Sequence, residues 1–449
     1  MLTLLCNGTV VTPDKVIDNG GVLFEDGKIV DVGNTDKVRA KVFKSSKQKI
    51  HLKIIDAKKR IIMPGFINTH HHLYSTFSRG MYIPGTPAKN FVEILEKLWW
   101  KLDRVLTAED IYYSSLIPLI ECVKNGVTSI IDHHESQTFQ IGSLDEIRKA
   151  VEKIGIRANL CMGVSDRYRK GQEGLDECDR FLKSLADCPS DLVSSMVGLH
   201  AAFTVNNDIL AKSVAIAKKY GVGMHIHCAE DISDQKDSVK KYKMRVVERL
   251  KKYGALGTKT ALIHCIHIDE KEKKIIKDTC TNVVHNPESN MNNAVGCADA
   301  LGMLSKGITV GLGTDGMSSD MLYHMRCAYV LHRHNKKDPR VAFVEAPTML
   351  LKNNPKIIEN ITGKKLGRIE KGLPADLIVM DYVPPTPLTS NNILGHLIFG
   401  MVDTTVDTVI CNGKTLMKDK KLEGISEDAI CAKSRELSAK VWKRIVKLA

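Results

Sequence analysis

The sequence predicts an α/β protein: a (β/α)8 TIM barrel joined to a small β-sandwich built from both chain ends. Three observations lead there. Between residues 61 and 366, eight short apolar runs alternate with longer stretches of helical periodicity, the order a parallel barrel needs. Several of these runs end in histidine or aspartate, at the strand end where barrel active sites are built. On either side, the pattern changes to short strands punctuated by Asn-Gly and Asp-Gly.

Residues 1–60 supply candidate strands at 2–5, 22–25, 28–32 and 54–56. Asn7-Gly8, Asp18-Asn19-Gly20-Gly21 and Asp26-Gly27 are read as the turns between them. The barrel runs are 61–68, 127–132, 157–162, 195–199, 223–227, 261–265, 282–285 and 309–313. Over 367–449 the β pattern returns at 375–381, 406–411 and 414–417, with Asn412-Gly413 as a hairpin turn. A terminal amphipathic helix over 427–446 follows, with Ile430, Leu437, Val441 and Ile445 as its buried positions. Pattern alone leaves an open doubly wound sheet in play. A metal shared by the first, fifth and eighth runs favours closure.

The 449 residues are 26% charged and 43% apolar, an ordinary soluble composition. No apolar stretch reaches membrane-spanning length, and Met1-Leu2-Thr3-Leu4-Leu5 lacks a basic start, so a cytoplasmic protein without a membrane partner is expected. Twelve cysteines without a C-x-x-C pair argue against a cysteine zinc knuckle or a redox motif. The net charge of +13 comes from lysine-rich stretches at 41–49, 240–241 and 418–421 with no aromatic interleaving. These read as solvated faces, and no nucleic-acid partner is expected. The expected assembly is a homodimer.

The most informative segment is Pro64-Gly65-Phe66-Ile67-Asn68-Thr69-His70-His71-His72. Side chains alternate along a strand, so His70 and His72 share a face and His71 points away. His227, closing Met224-His225-Ile226-His227, and Asp315 in Gly313-Thr314-Asp315-Gly316 complete an N/N/N/O set. That set suits zinc first, with ferrous iron as the alternative. An isolated histidine near a strand end is more often a hydrogen-bonded structural residue, and the inference rests on the ordered set.

With these residues in place, the chain resembles the amidohydrolase superfamily, in its cytosine/guanine-deaminase-like branch and especially the SsnA-type aminohydrolases. The motifs PGFINTHHH, HIHCAE, HCIH, HNPESN and GLGTDG carry the resemblance, with the Gly372-Leu373-Pro374-Ala375-Asp376 turn. It covers essentially the whole chain. The resemblance places the metal ligands on His70, His72, His227 and Asp315, a proton-shuttling carboxylate on Glu230, and a water- or substrate-contacting histidine on His264. Binuclear relatives end strand four with a modified lysine, whereas this chain reads Val197-Gly198-Leu199-His200. One divalent metal ion per chain is therefore implied.

The chemistry implied is hydrolytic deamination of a small nitrogen heterocycle, purine-like first. Asp315 accepts a proton from the attacking water, Glu230 protonates a ring nitrogen, and His264 stabilises the tetrahedral centre. Other positions divide between two readings. His200 contacts substrate or packs as a loop histidine, and Asn286 shapes the pocket or holds its loop, as His285, Ser289 and Asn290 do around it. His133, His134 and Glu135 line the pocket or form a polar loop, and His225 is read as structural. Phe91, Leu95, Leu98 and Leu102 read as helix core, with Trp99 or its neighbour Trp100 stacking on substrate. Ser75 stands where relatives acting on guanine carry a substrate-binding glutamine, and their Arg-Phe pair after strand four is missing. Guanine is therefore not the expected substrate. Cyclic-amide hydrolysis or chloride displacement is the alternative chemistry, and a non-catalytic metal-binding protein the third reading.

Overall fold

The computed structural model describes residues 1–45 and 51–448; the lysine-rich stretch at 41–49 lies partly outside these residues. Eight strands form the barrel: β1 (Phe66–His71), β2 (Val127–His134), β3 (Arg157–Met162), β4 in two pieces (Val193–Ser195 and Val197–Ala201), β5 (Met224–Cys228), β6 (Ala261–His264), β7 (Asn282–His285) and β8 (Val310–Leu312). All neighbours pair in parallel. The first piece of β4 pairs with β3 and the second with β5, because the strand is broken at Met196.

Closure distinguishes this arrangement from an open sheet. The amides of Thr314 and Asp315 both donate to the His70 carbonyl at 3.0 Å, joining β8 to β1. Beneath that seam Asn354 bridges the same two strands. Its amide nitrogen donates to the carbonyls of Ile67 (2.7 Å) and Leu312 (2.8 Å), and its oxygen accepts from Leu312 N–H at 2.8 Å. Gly311 leaves room for this, since a Cβ there would lie 2.4 Å from the Asn354 oxygen. The same helix, Asn354–Thr362, plugs the barrel floor with Ile357, Ile358 and Ile361 against Ile67, Ile263 and Val284.

The surrounding helices bury one stripe each. In Ser143–Ile154 the buried positions Leu144, Ile147, Val151 and Ile154 recur at helical spacing, and Gly155 ends the helix at φ +93°. The final helix, Glu427–Val446, buries Leu437, Val441 and Ile445 as expected, while Ile430 is half-buried. Among the described residues no helix is long and apolar enough to cross a membrane.

Both chain ends enter one nine-stranded sheet. Its order is Lys421–Leu422, Lys414–Lys418, Val406–Cys411, Leu377–Met380, Ile61–Pro64, Thr3–Thr12, Lys15–Glu25 and Lys28–Asn34, with Lys53–Asp56 also pairing Thr3–Thr12. The hairpin of Lys15–Glu25 and Lys28–Asn34 at one end of this path also meets the segment that precedes the central strand Leu377–Met380, since Ile29 N–H donates to Leu373 O and Ala375 N–H to Gly27 O, both at 2.8 Å.

Three local readings are corrected. The run 61–68 is two strands, because the chain leaves the terminal sheet at Gly65 and enters the barrel at Phe66. A Cβ at Gly65 would stand 2.2 Å from Thr128 Oγ1, so the crossing needs glycine. Asn7-Gly8 and Asp18–Gly21 are not turns but lie inside long strands, where register shifts on both sides of Gly8 absorb the irregularity. The helix Thr35–Ser45, inside what reads as a pure β segment, covers the sheet with Val38 and Val42 against Leu4, Cys6 and Leu23.

Candidate active site

The C-terminal ends of the barrel strands converge on a cavity that opens to solvent. His72, Ser75, Trp99, His200, His227, Glu230 and Asp315 line it. His70 and His264 lie immediately below, fully buried. Strand ends bend sharply here: Ala229 (φ +49°), His264 (φ +71°) and Asp315 (φ +57°) all adopt the left-handed region without being glycine. Such backbone costs energy and persists where the surrounding structure holds it.

The tautomers of the histidines follow from their partners. Nδ1 of His72 lies 2.6 Å from the His133 carbonyl, and Nδ1 of His227 lies 2.5 Å from the His200 carbonyl. A carbonyl only accepts, so each Nδ1 carries the ring proton and each Nε2 presents a bare lone pair. Those two Nε2 atoms stand 3.1 Å apart. A second proton on either ring would relieve the repulsion, yet burial lowers the basicity of His72 and drives that of His227 down to about 3, with His72 next in effect on His227. Two bare lone pairs at this separation are the arrangement a shared cation would fill.

Two more donors face the same space. His70 Nε2 has no hydrogen-bond partner and stands 3.8 Å from Asp315 Oδ1, which is itself 3.3 Å from His72 Nε2. His70 is held from behind by its Nδ1, 3.1 Å from His225 Nε2. Burial alone would raise the Asp315 carboxyl, but His72, His264 and His227 hold it well below the ordinary range. Ser289 Oγ donates to its Oδ2 at 2.6 Å and Gly316 N–H to its Oδ1 at 2.7 Å. Neutral imidazoles, an ionised carboxylate and converging lone pairs form a donor set that fits a divalent metal.

A second triad adjoins it. His264 Nδ1 faces Asn290 Oδ1 at 2.8 Å and so carries the proton, leaving Nε2 3.4 Å from Glu230 Oε2 and 3.6 Å from Asp315 Oδ2. Burial pushes the Glu230 carboxyl well above its ordinary value, with the Asp315 charge adding to the effect, and burial lowers His264. Both shifts place a proton on Glu230, the state of a general acid.

The remaining positions sort themselves. Trp99 faces the cavity, whereas Trp100 lies under the Arg167 guanidinium at 4.9 Å and beside Phe203. His200 lines the cavity with Nδ1 bonded to Thr204 Oγ1 at 2.8 Å. Ser75 is in the wall, but its hydroxyl is engaged by the carbonyls of His72 (2.8 Å) and Gly316 (3.2 Å). Asn286 does not line the cavity: it is fully buried, with its amide nitrogen 3.4 Å from His264 Nδ1. His133 and His134 are likewise fully buried, and of that trio only Glu135 lines the cavity. Phe91 and Leu95, read as helix core, form cavity wall as well, and Phe203, Tyr74, Asp231, Asp234 and Asn293 join them with no motif to announce them.

Known proteins are consistent with this geometry. The model for "Amidohydrolase family" matches residues 61–416. The 5'-deoxyadenosine deaminase of Methanosarcina mazei is 30% identical over 98% of this chain and 99% of its own length. The 5-methylthioadenosine/S-adenosylhomocysteine deaminase of Syntrophomonas wolfei is 31% identical over 95% of this chain and 96% of its own. In structure, a zinc-bound adenosine deaminase from Xanthomonas campestris superposes with a TM-score of 0.85 at 21% identity, covering 98% of each chain, and so shares the fold. With the family model spanning the entire barrel and full-length relatives at this identity, the chain belongs to the amidohydrolase family.

Proposed function

We propose that this protein is a metal-dependent aminohydrolase that deaminates a purine-like nitrogen heterocycle. The observation that carries the reading is the adjacency of two arrangements in one cavity wall: bare imidazole lone pairs beside Asp315, and the Glu230–His264–Asp315 triad. His70, His72, His227 and Asp315 are the residues to hold one divalent ion, zinc before iron. When bound, such an ion acidifies a water molecule and stabilises negative charge at the carbon attacked.

The chain's own groups divide the proton work. Glu230, protonated in its buried setting, donates to the ring nitrogen and makes the adjacent carbon electrophilic. Asp315 Oδ2 accepts the proton of the attacking water, and His264 Nε2, facing both carboxylates, orients that water and the tetrahedral centre. Ammonia leaves with a proton returned through the same carboxylates. Trp99 offers a face for stacking, and His200 a ring nitrogen for the heterocycle edge. Names of the full-length relatives, which specify adenine nucleosides, support purines as the first class to test.

The nine-stranded sheet supports reading the terminal segments, 1–60 and 367–449, as one β-sandwich beside the barrel expected at 61–366, with the first boundary moved to Gly65 because Ile61–Pro64 pairs in the terminal sheet. The experiment for function is a panel of purines, pterins, pyrimidines and triazines, monitored for ammonia and product mass together. Ammonia with a hydroxyl-for-amine mass change is expected. Ring opening without ammonia, or chloride release, would replace the deaminase reading with the cyclic-amidase or chlorohydrolase one.

A further inference from the structure

The proposed reaction needs a proton on Glu230, and a carboxyl has two oxygens on which to carry it. Oε2 faces His264 Nε2 at 3.4 Å. Which oxygen holds the proton is decided at the other one, Oε1, by a short helix with no part of its own in the reaction.

The helix Pro287–Asn292 and the residue that ends it, Asn293, touch all three members of the Glu230–His264–Asp315 triad. Asn290 Oδ1 faces His264 Nδ1 at 2.8 Å, and Ser289 Oγ donates to Asp315 Oδ2 at 2.6 Å. Asn293 Nδ2 lies 3.3 Å from Glu230 Oε1 and 3.4 Å from Ser289 Oγ. Asn293 N–H donates to the Ser289 carbonyl at 2.8 Å, so the two side chains stand one helical turn apart, on one face and in the cavity wall.

A side-chain amide can turn either its oxygen or its NH2 toward Glu230, and the neighbours decide which. Ser289 has one hydroxyl proton and gives it to the Asp315 carboxylate in a short, charge-assisted bond, so toward Asn293 its oxygen can only accept. Asn293 therefore turns its NH2 inward. Asn292 agrees from the other side, its Nδ2 donating to Asn293 Oδ1 at 3.1 Å. With a donor set against Oε1, that oxygen is the carbonyl of the protonated acid and Oε2 is its hydroxyl. A proton on Oε1 would instead meet the hydrogens of the Asn293 amide.

We infer that Asn293 is a positioning residue for the proton transfer: its amide holds Glu230 Oε1 as an acceptor and leaves Oε2 as the oxygen that delivers the proton to the substrate nitrogen. In that step the O–H bond at Oε2 breaks as an N–H bond forms on the ring, and the electron pair stays on Oε2. The carboxylate left behind keeps its hydrogen bond from Asn293 at Oε1 and is ready to be protonated again at the same oxygen. The inference rests on the proposed deamination, in which Glu230 is the acid.

The test separates orientation from shape. Metal-loaded protein is given 5'-deoxyadenosine, then the rest of the panel above, with ammonia release as the readout. Asn293→Leu, which cannot donate, should lower kcat by about tenfold or more, the effect of one lost hydrogen bond. KM should stay within about threefold of the wild type, and metal content should not change. Asn293→Asp keeps the volume of the side chain but, ionised, offers only acceptors, so it should lose at least as much; a role in shape alone would leave it at the wild-type rate. In a Glu230→Gln background, where no proton is left to direct, Asn293→Leu should change kcat by less than about twofold. Infrared difference spectra of each protein against its Glu230→Gln counterpart isolate the C=O stretch of the Glu230 carboxyl without turnover. That band should move to higher frequency in Asn293→Leu, because a carbonyl stiffens on losing its donor. An unchanged kcat in Asn293→Leu, losses of equal size in both backgrounds, an Asp variant at the wild-type rate, or a band that is absent or unmoved would overturn the inference and leave deamination standing. Ammonia from no compound in the panel would bring down the deaminase reading, and the proton-delivering role of Oε2 with it.

Discussion

The Arg157 guanidinium and the Asp376 carboxylate meet face to face, Nε to Oδ2 at 2.8 Å and Nη2 to Oδ1 at 3.3 Å, joining barrel strand β3 to the terminal sheet. Both side chains are buried, at 6% and 2% exposure, and every charge has further partners. Arg157 also donates to Asn412 Oδ1 and the Asp191 carbonyl, and Asp376 accepts from Asn412 N–H at 2.7 Å. The Pro374-Ala375-Asp376 turn is therefore a structural clamp.

Breaking that clamp from one side leaves a buried guanidinium without its counter-ion. Asp376→Ala should cost about 3–5 kcal/mol of stability. Denaturant unfolding of the metal-loaded protein measures it, and a loss below ~1 kcal/mol would show that Asn412 and Asp191 suffice.

Purified protein should contain about one divalent metal per chain, by the donor set of His70, His72 and Asp315, with His227 Nε2 3.1 Å from His72 Nε2. His72→Ala should lower metal content at least about tenfold at equal protein concentration. Elemental analysis checks both values. Two ions per chain in the wild type, or full metal content in the variant, would refute this assignment.

Glu230→Gln keeps the shape of the side chain and its contact to Asn293, which lies 3.3 Å away. Metal content should match the wild type while kcat falls by about 10²-fold or more, the usual effect of removing a general acid. Steady-state ammonia release on a true substrate is the measurement, and an unchanged kcat would remove Glu230 from the mechanism.

Asp234 gives a stability prediction with a definite sign. Burial pushes its carboxyl up to about 7 from an ordinary 3.8, against the amides of Ala229 and Phe203 and the charge of Arg249, which lower it, with Asp237 adding to the rise. A raised folded-state value means the native protein holds the proton more tightly than the unfolded chain. Its stabilising contribution is complete below the unfolded value and is lost as pH climbs through the folded one. Asp234→Asn, which can still accept from Ala229 N–H, should flatten the decline in stability between pH 4 and 7, by on the order of 2 kcal/mol at the upper end. Thermal midpoints of both proteins across pH 4–8 read this out; parallel curves would refute it.

Much of this site is legible in the sequence because each element of it is short and contiguous. His70 and His72 share a face by strand alternation alone, His227 and His264 fall in the last two residues of their strands, and Asp315 follows three residues after its strand ends at Leu312. What escapes is set by tertiary context. The run 61–68 carries no local mark of its change of sheet except Gly65, whose need is visible only once Thr128 is beside it. Trp99 and Trp100 are neighbours in sequence and differ only in which side of the helix turn meets Arg167. Asp234 looks like an ordinary surface acid in the sequence. Its burial follows from the neighbouring loops packing around it, which no periodicity reports.

The place of Ile61–Pro64 in the terminal sheet has a consequence for biosynthesis. This strand lies between Thr3–Thr12, made before it, and Leu377–Met380, made only after the whole barrel has been translated. Until then the growing chain carries Ile61, Ile62 and Met63 on an open, apolar strand edge, the kind of edge that recruits other chains. The interval during synthesis, more than the finished molecule, is when this protein is most exposed to aggregation, and its N-terminal strands depend for protection on a partner encoded near the opposite end of the message.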